Sequence, residues 1–378
     1  MRLLYLGDTR SPHFRAWPRH FLAAGHDVHV CHVGRDAAEV FAGPQWHVPA
    51  RAISCGLRGV WRVSALEVWS LARRISPDVV HSHLILPTGY LAELARVRPH
   101  VATAWGSEVL IDPSGRQQRL IARVATGAEL LTADSRHLLD ALRVYGADES
   151  RLRFVPWGVD REWARRARGV SREDAATRVG LPRDRRIVLA HRGSRRIFRP
   201  DLIVRAAALV RAEVPDVLVV IIVDTTHDAW PLDELASLVD DLRIADAVIF
   251  RPKIAHDEVA FLFRAAAVCV SYAESDSAPT SVLEALAVGV PVVVSDLPWV
   301  HEPDYHEARL AVVSDASVET LAGALVAAVL APEPEDVEAN RSLVARRFDR
   351  EVLFGSVGDE YERLAGDRRP KTHARRSA

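Results

Sequence analysis

The residues that best combine chemical type with suitable spacing are two carboxylates, Asp276 and Glu284. They lie where a predicted buried strand, residues 268–271, leads into a polar loop and then into a helix predicted over Thr280–Val288. In an open parallel sheet, ligands bind where the carboxyl ends of strands and the N-termini of helices converge. Fixed acceptors beside backbone N–H groups suit a ligand that carries both phosphate and hydroxyl groups.

A helix cap is the simpler interpretation of the same segment. Ser281 and Glu284 have the spacing of a capping box, in which Glu284 reaches back to the backbone N–H of the cap and needs no ligand. Asp276 could likewise be an ordinary loop carboxylate. The rest of the chain has to decide between the two interpretations.

Length and composition point to a two-domain globular protein. The chain has 378 residues, of which 49% are hydrophobic and 26% charged, with a formal net charge of −1. That length exceeds one typical core, and that charge implies neither a nucleic acid nor a bulk anionic surface as partner. The three cysteines, Cys31, Cys55 and Cys269, are far apart, so we expect no metal site, no disulfide framework and a reducing compartment.

Nothing in the sequence predicts export or membrane insertion. Residues 1–7 turn polar too soon for a signal peptide, and the longest apolar run, Val217–Val223, has only the length of a strand. We therefore expect a cytoplasmic protein. One basic amphipathic segment, residues 57–75, either packs on its own domain or makes a peripheral contact with an anionic membrane.

An alternation of strands and helices starts twice along the chain. Near-continuous Val/Ile runs separated by helices are typical of parallel sheets covered on both faces. The pattern predicts an α/β protein with two Rossmann-like, doubly wound parallel-sheet domains facing across a cleft, over residues 1–165 and 166–345. Within this, the charged stretch 161–186 reads as a polar linker and residues 337–364 read as helix. The helix end, 346–365, is expected to pack back toward the first domain, and the basic tail, 366–378, to be disordered.

Two common nucleotide-binding motifs are missing. No Gly-x-Gly-x-x-Gly follows the first predicted strand, Arg2–Gly7, and the sequence contains no Walker loop. Dinucleotide and P-loop chemistry are therefore disfavoured.

With this layout, several motifs resemble those of family 4 glycosyltransferases. The family's Glu-x7-Glu pattern is matched by Asp276 and Glu284, and its Asn-Gly-Val-Asp junction by residues 157–160, Trp-Gly-Val-Asp. Its His-x-His is matched by residues 81–83. Residues 103–108, Thr-Ala-Trp-Gly-Ser-Glu, are similar to the branch that carries Trp-Gly-Ser-Asp. The match extends from Arg2 to about Leu364.

The resemblance implies a retaining, metal-independent glycosyltransferase of GT-B fold, with no cofactor. Its partners would be a nucleoside-diphosphate sugar as donor and a hydroxyl-bearing acceptor such as a glycan, a lipid-linked acceptor or a small metabolite. In such enzymes the leaving phosphate is thought to take the proton of the acceptor. A catalytically silent binding protein of the same fold is the alternative, and a nucleotide-sugar epimerase is a third.

The resemblance also assigns donor-side residues. Asp276 would contact donor-sugar hydroxyls and Glu284 the ribose, and the segment between them would line the same site through Ser277, Ala278, Pro279, Thr280 and Ser281. Candidates for the diphosphate are three arginines in a strand-to-helix loop and one glycine, namely Arg192, Arg195, Arg196 and Gly7. Either a solvated arginine cluster or a simple tight turn would explain the same residues. Candidates for the nucleobase are Pro252, Lys253 and Ile254.

The first half supplies the remaining candidates. His83 and Asp276 are the candidate catalytic residues, and His13, Trp105 and Glu108 are candidate acceptor contacts. A core histidine, a surface histidine and a capping carboxylate are the respective alternatives for His83, His13 and Glu108. Trp105 stands where many members of the family have a histidine, and Phe198 stands about where the family has its diphosphate-binding lysine.

Overall fold

A computed structural model describes residues 1–34, 44–49, 58–223 and 228–366, without the side chains of residues 47–49 and 58–60. These residues divide into two compact units. The first comprises Met1–Pro156 together with the closing helix from Glu351, and the second comprises Trp157–Arg350. Of the predicted basic tail, all but Gly366 lies outside the described residues.

The first unit is built on a parallel sheet. Seven strands of its described part pair in the order β3-β2-β1-β4-β5-β6-β7, and β1 pairs Leu3 with both Val28 and Val79. β1, β4, β5 and β6 are buried along nearly their whole lengths, as expected for strands of a sheet covered on both faces, and β4 buries His81, Ser82 and His83 besides its two valines. The strands are Arg2–Gly7 (β1), Asp27–Gly34 (β2), Gln45–Pro49 (β3), Val79–His83 (β4), His100–Thr103 (β5), Leu130–Ala133 (β6) and Leu152–Phe154 (β7).

Helices connect these strands. Ser11 caps the first by accepting the backbone N–H of Phe14, and Ser114 forms a capping box with Gln117 in the fifth. The helices are Pro12–Ala23 (α1), Arg58–Ile75 (α2), Tyr90–Ala95 (α3), Ser107–Leu110 (α4), Gly115–Gly127 (α5) and Arg136–Val144 (α6). No helix in the described ranges is both long enough and apolar enough to cross a bilayer.

The second unit holds another parallel sheet. Its described strands pair in the order β10-β9-β8-β11-β12-β13. They are Arg186–Ala190 (β8), Val217–Val223 (β9), Val248–Pro252 (β10), Ala266–Ser271 (β11), Val292–Ser295 (β12) and Ala311–Val313 (β13). Because β8 and β11 are neighbours in the middle of the sheet, the loops that follow them start side by side.

Eight helices are described between Trp157 and Phe348. They are Arg161–Arg168 (α7), Arg172–Arg178 (α8), Pro200–Glu213 (α9), Leu232–Asp241 (α10), His256–Ala265 (α11), Thr280–Val288 (α12), Val318–Leu330 (α13) and Pro334–Arg347 (α14). The core of the unit is formed mainly by valine, isoleucine and alanine side chains from β8, β9, β11, α9 and α13.

The prediction of a polar linker over residues 161–186 is wrong, because α7 and α8 occupy most of it. Asp160 starts α7 by accepting the N–H groups of Glu162 and Trp163, and Ser171 starts α8 in the same way. The arginines of α7 face solvent, whereas the intervening Trp163 and the alanines of both helices are buried. Each of these helices buries a short apolar face, which the highly charged composition of the segment did not predict.

The prediction that residues 337–364 are helical is confirmed except at a break of two residues, 348 and 349. Helix α14 ends at Arg347, and a last helix, Arg350–Gly366 (α15), follows. The break arises because the backbone of Phe348 and Arg350 bonds to Val159, at 2.8 and 3.2 Å. Beyond it, α15 belongs to the first unit, where Phe354 stacks on Trp17 with ring centroids 4.0 Å apart.

Candidate functional site

Helix α12 and the loop before it form the centre of the candidate site. The helix begins after Pro279, which makes no side-chain cap, and ends at Gly289, whose φ of 94° places it in the left-handed region. Ser281 is therefore inside the helix, and its Oγ accepts a hydrogen bond from Nη1 of Arg192 at 3.2 Å. The capping-box interpretation is thus wrong, since Ser281 is not the cap residue.

The carboxylate of Glu284 is buried, with 4% of the residue exposed. Its Oε1 has no hydrogen-bond partner among the described residues, and the nearest recorded cation-forming group is Nε2 of His256 at 3.8 Å. Burial raises the pKa of Glu284 to about 7, although the positive charges of Arg350 and Arg192 act in the opposite direction. A buried acceptor with an open oxygen is suited to binding hydroxyl groups.

Arg192 and Asp276 form an ion pair in this structure. Nη2 of Arg192 donates to Oδ2 of Asp276, while the backbone N–H of Ser277 donates to Oδ1 at 3.0 Å. The guanidinium also lies over the ring of Phe198, 4.7 Å from its centroid. One arginine therefore connects the loop after β8 to both the loop and the helix that follow β11.

The other two predicted arginines have different partners. Arg195 donates from Nε to Oδ2 of Asp228 at 2.6 Å, and Arg196 lies over the ring of Trp230 at 4.4 Å. Of the three arginines, Arg192 is therefore the one whose recorded contacts reach Asp276 and Ser281.

The nucleobase candidates follow β10. Pro252 and Lys253 are exposed and Ile254 is half-buried, just before α11 begins at His256. In the loop before α12, Ser277 and Ala278 are buried, as is Thr280, the first residue of the helix. These positions belong to the same carboxyl-terminal edge of the sheet as Arg192 and Asp276.

Residues of the first unit form a separate cluster after β1, β4 and β5. His83 is fully buried, with its ring 5.2 Å from Phe14 and 6.3 Å from Trp105, and burial lowers its pKa to about 3. His13 meets Trp105 edge-on, at 6.4 Å. In these surroundings the imidazole of His83 is neutral.

Glu108 and Gly7 both have structural roles in that cluster. Oε1 of Glu108 accepts the backbone N–H groups of Trp105 and Ile85 at 2.8 and 3.3 Å, while Oε2 is buried without a hydrogen bond to any described residue. Burial raises the pKa of Glu108, against these hydrogen bonds. A Cβ on Gly7 would lie 2.3 Å from Cε2 of Phe14, so packing alone requires glycine there.

Sequence reasoning missed three residues that face or support Glu284. His256 faces its carboxylate, Arg350 acts on its charge, and Trp163 stacks on His256. His256 could have been noticed as a polar residue at the start of a helix after a strand. Arg350 and Trp163 carry no such signal, because only the fold brings these distant segments to α12.

Both halves of the chain match known glycosyltransferase families. Residues 2–135 match the family described as "Glycosyl transferase 4-like", and residues 172–339 match the one described as "Glycosyl transferases group 1". The D-inositol 3-phosphate glycosyltransferase of Acidothermus cellulolyticus is 31% identical over an alignment of 239 residues, which covers 58% of this chain and 52% of that protein. Its namesake from Streptomyces scabiei is 30% identical over an alignment of 251 residues, which covers 61% of this chain and 55% of that protein. The chain thus spans about half the length of these relatives.

Solved structures match over nearly the whole chain. Sucrose-phosphate synthase from Thermosynechococcus elongatus superposes with a TM-score of 0.80 at 17% identity, covering 97% of this chain and all of that one (100%). Anabaena HepE in complex with UDP and glucose superposes with a TM-score of 0.79 at 15% identity, covering 96% and 100%. At these identities the likeness establishes the fold, GT-B, with its two parallel-sheet α/β domains.

Proposed function

The chain belongs to the family 4 glycosyltransferases, and we propose that it transfers a glycosyl group from a nucleoside-diphosphate sugar to a hydroxyl acceptor with retention of configuration. The observation that carries the proposal is the buried carboxylate of Glu284 beside Arg192. Its Oε1 has no hydrogen-bond partner among the described residues, although buried acceptors are normally satisfied. A ribose supplies the hydroxyl donors that this oxygen lacks.

The donor would lie along α12, with each group of the ligand meeting a matching side chain. The ribose hydroxyls would bind Glu284, and the diphosphate would bind Arg192 near the N-terminus of α12, where the helix dipole favours an anion. In this structure Arg192 pairs with Asp276, and the phosphate would take the place of that carboxylate. Donor binding would exchange that partner and release Asp276 toward the sugar hydroxyls.

In the proposed reaction these residues position the substrates and stabilise the charge on the leaving diphosphate. The bond between the anomeric carbon and the diphosphate oxygen breaks, and the acceptor oxygen forms a new bond to the same face of that carbon. The proton of the acceptor passes to the departing phosphate oxygen. Arg192 would stabilise the negative charge that grows on the diphosphate, and Asp276 would hold the sugar in register. With a pKa of about 3, His83 is not a proton donor at neutral pH, so its contribution would be to shape the first unit's site.

A UDP-sugar is the first donor to test, because Anabaena HepE has been solved in complex with UDP-glucose. Pro252, Lys253 and Ile254 would line the base. For the acceptor, D-inositol 3-phosphate is the first choice, since it is printed in the names of the relatives. His13, Trp105 and the open Oε2 of Glu108 would contact it. Nucleotide sugars are cytoplasmic metabolites, so the same proposal places the protein in the cytoplasm.

The test is a mass-spectrometric screen of nucleotide sugars, with and without acceptors. Glu284→Ala should abolish transfer in a protein that stays folded. Glu274→Ala is the matched control, because Glu274 is an exposed carboxylate of the same loop that pairs with Arg199. Equal transfer by the Glu284 variant and the wild type would refute the site. An altered sugar formed without acceptor would identify an epimerase instead.

A catalytically silent nucleotide-binding protein is the second candidate. The specific observation in its favour is that Phe198 packs beside Arg192 about where the family has its diphosphate-binding lysine. Calorimetric binding of a nucleotide sugar, with no turnover across the same panel of acceptors, would support it.

We further propose that the outer face of α2 contacts anionic membrane surfaces. Val63, Leu66 and Trp69 are 55%, 63% and 45% exposed at helical spacing, and Arg62 and Arg73 flank them. The opposite face of the helix packs in the core of the first unit. The wild type should co-sediment with phosphatidylglycerol vesicles, whereas the Leu66→Glu variant should stay in the supernatant. Equal capture of the two proteins would refute this contact.

A further inference from the structure

The imidazole of His256 faces the carboxylate that the proposed function assigns to the ribose. His256 is the first residue of α11, and its Nε2 lies 3.8 Å from Oε1 of Glu284. That separation is longer than a hydrogen bond. The two groups are therefore neighbours that a small movement of the carboxylate would join.

Trp163 fixes the position of His256. The indole stacks on the imidazole, with ring centroids 5.3 Å apart and ring planes 12° from parallel. Its Nε1 also donates to the backbone carbonyl of His256, at 3.0 Å. One side chain thus restrains both the ring and the backbone of His256, which limits the directions in which Nε2 can point.

The segment that joins the two α/β patterns places Trp163. Oδ1 of Asp160 accepts the backbone N–H of Trp163 at 3.0 Å and starts α7, which packs on α11 and α12. The same segment holds Arg350, which donates from its backbone N–H to Val159 and from Nη2 to the carbonyl of Gly158, at 3.2 and 3.4 Å. Residues 158–163 therefore support two groups that act on Glu284.

We propose that His256 is a positioning residue for the nucleotide of the donor. It donates its Nε2–H to Glu284 when the ribose is bound, so that the carboxylate stays ionised and oriented while it accepts the ribose hydroxyls. Such a charge-assisted hydrogen bond is stronger than a neutral one. The inference rests on the proposed function, because it takes Glu284 as the ribose ligand.

Calorimetric titration with UDP and with its 2′,3′-dideoxy analogue tests the proposal. His256→Ala should weaken UDP binding about tenfold, the loss expected for one hydrogen bond to a charged group. The same variant should bind the dideoxy analogue as the wild type does, because that ligand has no ribose hydroxyls. His256→Gln retains an N–H donor and should recover most of the affinity. His306→Ala, at an exposed histidine of the same unit, is the control and should bind UDP normally.

The outcomes separate the inference from the proposed function. If Glu284→Ala weakens UDP binding and His256→Ala does not, the inference fails and the proposed function stands. Equal weakening of both ligands by His256→Ala would also overturn the inference, since it indicates a structural role. If Glu284→Ala leaves the affinity unchanged, both fail.

A second variant covers the case in which His256→Ala does not fold. Trp163→Phe keeps an aromatic ring on the imidazole and removes the Nε1 donor, so it should weaken UDP binding by a smaller factor and leave the dideoxy analogue unaffected. If UDP does not bind the wild type, GDP and ADP with their dideoxy analogues take its place. Binding of none of the three would overturn both proposals.

Discussion

Replacing Glu284 with glutamine should stabilise the ligand-free protein relative to the wild type, and the difference should grow as the pH rises. The variant keeps the shape of the side chain but removes its charge, and only 4% of the residue is exposed. In the folded wild type, burial raises the pKa of Glu284 from 4.5 to about 7. Above pH 7 the folded protein has to hold a buried charge that the unfolded chain leaves in water.

The size and sign of the effect follow from proton linkage. The folded state binds the proton of Glu284 more tightly than the unfolded state does, so this group stabilises the wild type less as the pH rises from 4.5 to about 7. One pKa unit corresponds to about 1.4 kcal/mol. The free energy of unfolding of Glu284→Gln relative to wild type should therefore grow by about 2.5 kcal/mol between about pH 5 and about pH 8.

Urea unfolding followed by circular dichroism, at unit steps of pH over this range, measures that difference. Glu274→Gln, which removes an exposed carboxylate of the same loop, is the control for the loss of one charge. Saturating UDP should reverse the order at alkaline pH by stabilising the wild type and not the variant. If the difference in free energy of unfolding between Glu284→Gln and wild type does not change with pH, burial does not disfavour the ionised carboxylate of Glu284, and the reasoning is refuted.

Three further substitutions test other parts of the account. Gly7→Ala should lower the free energy of unfolding by about 1–3 kcal/mol, measured by urea titration, because its Cβ overlaps the ring of Phe14; no loss would refute the packing role. Arg192→Ala should weaken UDP binding by at least about tenfold in calorimetry, whereas Arg195→Ala should change it much less; the reverse order would assign the diphosphate to Arg195. Asp276→Asn should tighten UDP binding by freeing Arg192 while slowing sugar transfer, and weaker UDP binding would contradict the exchange of partners.

Much of the fold could be predicted because strands buried on both faces often form near-continuous runs of valine and isoleucine. The bounds of β1, β9 and α12 agree with those predicted from the sequence. The errors lie where tertiary contacts override local pattern. Residues 161–178 form helices through caps and one buried face, and the helix after Pro334 is broken because Phe348 and Arg350 bond to Val159.

The candidate site could be predicted only as far as its residues are close in sequence. Asp276 and Glu284 stand out because a loop and a helix carry them together. That Asp276 would pair with Arg192, and that Ser281 would accept from the same guanidinium, depends on β8 and β11 being neighbours in the sheet. His256 and Arg350 approach Glu284 from other elements, and no local sequence pattern predicts these contacts.

A crystal structure of the protein with UDP bound would test the central claim most directly. The account predicts the ribose hydroxyls within hydrogen-bond distance of Glu284, the diphosphate on Arg192, and the Arg192–Asp276 pair opened. UDP bound away from α12, or bound there with Glu284 untouched and the Arg192–Asp276 pair intact, would contradict it.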